Sequence, residues 1–151
     1  MISVAPFLIF LVGAALAMVA RGRLRDVIAV ATPVVGAINL WALDGSAPMT
    51  VMLFGHGLIL VEVDRLSMLF GWLFHLAVFV ALVYNLYRPT KLEQVSILTY
   101  GASTMGAIFA GDLLTLLLFW EGLGLTSVFL VLARSTLRAE RAAVRYLMLQ
   151  V

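Results

Sequence analysis

Five apolar runs, at about 2–20, 27–43, 66–87, 94–110 and 113–133, alternate with short polar stretches along a chain of 151 residues. Roughly 20 apolar residues is the length an α-helix needs to cross a hydrocarbon core about 30 Å thick. Within such a core only helices and closed barrels satisfy their own backbone groups. A soluble core cannot absorb runs of this number and length, because 64% of the residues are hydrophobic against about 45–50% in soluble domains. The expected fold is therefore an all-α polytopic membrane protein, a single membrane domain over 1–151. It has five transmembrane helices plus the start of a sixth, incomplete at 142–151.

The first run ends in Ala17-Met18-Val19-Ala20, a loose match to a signal-peptidase site. No basic segment precedes it, and Arg21, Arg23 and Arg25 follow it. A retained first helix is expected over a cleaved signal. Pro33 and Gly36 fall inside the second run, where neighbouring helices can repair the backbone. Asp44-Gly45-Ser46-Ala47-Pro48 is a turn cluster. Beyond it, Met49 to Phe54 and Leu58 to Val63 flank Gly55-His56-Gly57. That spacing predicts a short β-hairpin between helices 2 and 3, with His56 a solvent-facing residue of it. Tyr84 and Tyr87 close the third run, as an interfacial belt would. The fourth run is rich in small residues, among them Gly101, Ala102, Ser103, Gly106 and Ala107, which predicts close packing inside a bundle. The Gly111-Asp112 turn makes the fourth and fifth helices neighbours.

Orientation follows from the basic residues. With the N-terminus outside, the inner stretches are 21–26, 88–93 and 134–141, and Arg145 begins on the same side. Of the ten Lys and Arg, only Arg65 then lies outside. The positive-inside rule selects this arrangement and places the hairpin on the outer face.

The residue that asks for a chemical explanation is Glu121, in Leu118-Phe119-Trp120-Glu121-Gly122. It lies roughly 13 Å along the helix from Asp112, near the middle of the hydrocarbon core. An ionisable group at that depth is a functional hypothesis by default. A carboxyl moved between a desolvated position and the neighbourhood of a cation loads and releases a proton. The structural alternative is a carboxyl hydrogen-bonded to another helix. Phe119 and Trp120 read as lipid- or helix-facing bulk, and Gly122 and Gly124 as openings for a helix or water beside the carboxylate. Thr126 and Ser127 either support a water chain or bond the carbonyl one turn back. His75 is either a relay or a core histidine held by one hydrogen bond. Asp112 is an N-cap or the lining of an outer half-channel. Arg145 either snorkels to the inner interface or modulates Glu121; Tyr146 and Gln150 add polar atoms to the same segment. Without cysteine there are no disulfides or thiolate metal sites, and no Gly-rich phosphate loop, metal spacing or nucleophile motif is present. No cofactor or metal is expected, and the arginines belong to loop topology rather than to nucleic-acid binding.

Three stretches carry a family resemblance. Asp64-Arg65-Leu66-Ser67-Met68-Leu69-Phe70 resembles the opening of the third helix in antiporter-like proton-translocating subunits. Gly111 to Leu116, with Phe119-Trp120-Glu121, resembles their fifth-helix signature. Arg141-Ala142-Ala143-Val144-Arg145-Tyr146-Leu147 looks like the start of their sixth helix. The family comprises subunits of Mrp-type sodium/proton antiporters and the antiporter-like subunits of respiratory complex I; the residues here are closer to the Mrp type than to complex I. The resemblance implies a multi-pass protein of a bacterial or archaeal cell membrane that works with other subunits on H+ and Na+. The alternative is the proton-pumping arm of a NADH-quinone oxidoreductase or a membrane-bound hydrogenase. It also implies that Glu121 pairs with a lysine on a seventh helix. The only lysine here is Lys91, in a loop. The expectation is an N-terminal fragment, or else a split half whose partner chain supplies helix 6 onward.

Overall fold

A computed structural model describes residues 4–43, 45, 47–53, 55–87, 90–133 and 145. Among them the chain forms five helices and two strands in the order α1 (Pro6–Val19), α2 (Arg23–Leu43), β1 (Met49–Leu53), β2 (His56–Val61), α3 (Arg65–Asn85), α4 (Lys91–Ile108) and α5 (Leu113–Leu132). The inner stretch at 134–141 and the sixth segment at 142–151, apart from Arg145, lie outside the described residues.

Three helices, α2, α3 and α5, are long and apolar enough to cross a membrane. The other two do not meet that measure, where five transmembrane spans are expected from the sequence. With 14 residues, α1 is apolar but short. The 18 residues of α4 include Lys91, Glu93, Gln94 and several Ser and Thr, which lower its apolar content. The starts of α2 and α4 also lie earlier than expected. Rather than ending in a loop at residue 26, the basic stretch enters α2 at Arg23, with Asp26 in the first turn, where a negative side chain is favourable. Helix α4 begins at Lys91 because Thr90 caps it. The Glu93 amide donates to Thr90 Oγ1 over 3.2 Å, an N-cap bond, and the Thr90 hydroxyl donates to Glu93 Oε2 over 3.4 Å.

The bundle is built around α4, which packs on α1, α3 and α5. Its small residues explain this: a Cβ on Gly101 would stand 3.0 Å from the ring of Phe10, a fully buried α1 residue. Gly13 of α1 lies against the Thr32 side chain of α2 in the same way. Lipid is as apolar as leucine, so close contact of this kind, rather than hydrophobicity, joins helices in a bilayer. Pro33 lacks an N–H and so leaves the Ala29 carbonyl without its helical donor. One residue earlier, the Thr32 hydroxyl donates to the Ile28 carbonyl over 2.8 Å. Asn39 anchors the chain start to α2, accepting from the Val4 amide and donating to its carbonyl.

The expected hairpin is present. Its strands pair antiparallel with Leu53 opposite His56, so His56 belongs to β2 and not to the turn. Gly55 takes φ +80°, a left-handed conformation that glycine adopts without a steric penalty. The register shifts between Met49 and Thr50, leaving Leu60 as the extra residue of a bulge. The hairpin is also joined to the α4–α5 turn. The Glu62 amide donates to the Phe109 carbonyl over 2.8 Å, and the Gly111 amide to the Ile59 carbonyl over 3.0 Å.

Candidate functional site

Asp112 starts α5 and holds three donors. Its Oδ1 accepts from the Thr115 amide over 2.8 Å; its Oδ2 accepts from the Thr115 hydroxyl over 2.7 Å and from the Ile59 amide over 2.6 Å. The Thr115 backbone N–H, then its hydroxyl, then the Ile59 N–H hold the Asp112 carboxyl below the ordinary value of 3.8. Of the two readings of Asp112, the cap is the one observed. Its contact with β2 was not anticipated, since the partners are 53 residues apart. Gly111 is the sequence signal that could have exposed it. A Cβ there would run into Ile59 and come within 2.7 Å of Glu62 Oε2, so only glycine lets the turn lie this close to β2.

From this fixed start α5 runs along α4. Gly106 of α4 receives the Phe119 ring, and Phe119 also meets Phe7 of α1 with ring centroids 4.9 Å apart. Gly122 lies over Ser103, whose Oγ would be 2.8 Å from an added Cβ. Gly122 therefore accommodates α4, a neighbour already in the chain, instead of an incoming helix or water beside Glu121. Thr126 donates to the Gly122 carbonyl over 2.8 Å and Ser127 to the Gly124 carbonyl over 2.7 Å. Both hydroxyls bond their own helix, as the more local reading had it.

Glu121 itself is exposed, beside the exposed Trp120. Among the described residues it has neither a hydrogen bond nor an ion pair. The reason is positional. Helix α5 packs chiefly on α4, with lesser contact to β2 and a ring contact from Phe119 to Phe7 of α1. Whatever does not face α4 is left open, including Leu114, Leu117, Leu118 and Leu125. The alternative of a structural carboxyl bonded to a neighbouring helix finds no partner among the described residues. Arg145 is an exposed helical residue.

His75 belongs to a different part of the bundle. It is 2% exposed, its ring lies 5.1 Å from that of Phe10, and it faces Gly36 of α2. Nδ1 is 2.7 Å from the Gly71 carbonyl. Assigning Nδ1 as the donor leaves Nε2 as the lone-pair nitrogen, and Nε2 has no partner among the described residues. The structure thus directs His75 toward α1 and α2, while Glu121 lies on the open face of α5. At the end of the bundle where α2 and α4 begin, Asp26 Oδ1 accepts from Gln94 Nε2 over 3.0 Å and pairs with Arg25 over 3.3 Å. The side-chain carbonyls of Asn85 and Gln94 are buried there without a partner among the described residues.

Chemically, the arrangement offers one carboxylate on an apolar helix, held in register by Asp112 and Phe119 and open on one side. Among the described residues no group of His and acidic side chains could hold a metal ion. The fold defines a class, a mostly helical chain with three helices suited to crossing a membrane and a small antiparallel hairpin. Compared with family models, curated proteins and solved structures, the chain matches none.

Proposed function

We propose that this chain is the N-terminal part of a proton-translocating subunit of a multisubunit monovalent cation (Na+)/H+ antiporter, with Glu121 as proton carrier. In this reading all five helices span a cell membrane, the N-terminus is outside, and the hairpin lies on the outer face. The observation that carries it is the placement of Glu121 on the open face of α5, without a partner among the described residues. A carboxylate cannot rest against lipid at that depth without neutralisation or a counter-charge. At the open face Glu121 is therefore either protonated or met by a helix bearing a cationic side chain, supplied by further chain or by another subunit. Approach of the cation favours the charged carboxylate, and its withdrawal favours the protonated one. Motion of the pair then drives uptake and release of the proton.

The test replaces Glu121 by Gln in the complete assembly and measures sodium-driven collapse of a pH gradient in inverted membrane vesicles. Glutamine keeps the volume and cannot carry the proton, so exchange falls to background. Exchange at the unmutated rate would remove Glu121 from the mechanism.

A further inference from the structure

A groove of about 500 Å³ runs along the outside of α2, lined by Val27, Val30, Ala31, Val34, Val35 and Leu86, with Asp26 at its head. Val27, Val34 and Val35 are all exposed. From Val27 to Val35 the groove covers about 12 Å of helix, close to the roughly 15 Å depth of one leaflet. Arg23, Val27, Val30 and Val34 follow at helical spacing, so the arginine stands on the same face as the groove, about one turn above its first valine. Arg23 and Arg21 are both exposed. The one carboxylate at the head, Asp26, is already engaged by Arg25 and by Gln94. That Gln94 contact also places the start of α4, with exposed Lys91, beside the start of α2. Two helix N-termini and several cations therefore converge above an apolar channel one leaflet deep.

We propose that this groove binds an anionic phospholipid. Its phosphate is held by Arg21 and Arg23, and one acyl chain lies along Val27 to Val35. The guanidinium fork matches phosphate geometry, and the apolar lining takes the chain. The proposal requires only that α2 lies in a bilayer; it does not depend on proton transport, and Glu121→Gln leaves it unchanged.

The test is native mass spectrometry of the delipidated assembly that carries the chain. Phosphatidylglycerol and phosphatidylcholine with identical acyl chains are added separately. Phosphatidylglycerol is expected to be retained preferentially. Combining Arg21→Gln with Arg23→Gln lowers its retention by about fivefold per arginine and lowers that of phosphatidylcholine, whose choline cation already offsets its phosphate, by less; an unchanged circular-dichroism spectrum reports that the variant is folded. Ala31→Trp, which fills the groove from an exposed position, lowers retention of both lipids. Glycerol 3-phosphate, which has no acyl chains, does not compete. Equal retention of the two lipids, unchanged retention in either variant, or displacement by glycerol 3-phosphate would each overturn the proposal.

Discussion

Replacing Gly106 by Ala tests how α5, and with it Glu121, is held. The added methyl would stand within 3.0 Å of Cγ, Cδ1 and Cε1 of Phe119. These atoms include the root of the ring, so a small rotation does not clear them. Phe7 closes off the far side at a centroid distance of 4.9 Å. Overpacking of this kind costs about 1–3 kcal/mol, whereas Gly→Ala in a helix gains up to about 1 kcal/mol in propensity. The single substitution is therefore a mixture of opposing effects, and a double-mutant cycle separates them. In a Phe119→Ala background the clash is gone and only the propensity gain remains, so Gly106→Ala becomes stabilising. The coupling energy equals the clash, about 1–3 kcal/mol, because propensity cancels around the cycle. Reversible unfolding in mixed micelles, followed by circular dichroism, measures all four corners. A coupling below about 0.5 kcal/mol, the ordinary scatter for independent sites, would show that Phe119 does not seat on Gly106.

Two further predictions concern the helix starts and His75. Asp64 caps α3 through the Ser67 amide, and its carboxyl, like that of Asp112, lies below the ordinary 3.8, chiefly through that backbone bond. Each binds its proton more weakly folded than unfolded. Their stabilisation is full above pH 3.8 and is lost as pH falls through the lower folded values. Asp64→Asn with Asp112→Asn keeps a capping oxygen but flattens this acid limb, whereas the alanine pair lowers the melting temperature at every pH; an unchanged acid limb in the asparagine pair would contradict the assignment. Gly36→Ala would place a methyl 2.5 Å from His75 Nε2. The imidazole must then leave its Gly71 contact, visible as a changed ¹⁵N shift of Nδ1, and an unaltered spectrum would mean that the ring does not face α2.

What could be read from residue order alone was local. The apolar runs mark the helices. Asp112 falls three residues before the amide it caps, a spacing that Asp64, not singled out as a cap in the sequence, shares, and the hairpin follows from two short runs about a glycine. Such features depend on hydrogen bonds closing within a few residues, and spacing along the chain is enough to find them. What only the tertiary structure decided is which face of each helix meets which neighbour. It sets Glu121 on the open side of α5, turns His75 toward α1 and α2, assigns Gly122 to Ser103, and joins Asp112 to Ile59. The physical reason lies in the solvent. In a soluble protein an apolar stripe marks the buried face of a helix, but against lipid both faces are apolar, and helix contacts are chosen by shape and by small residues. Hydropathy can therefore count the helices without orienting them, and the role open to Glu121 depends on that orientation.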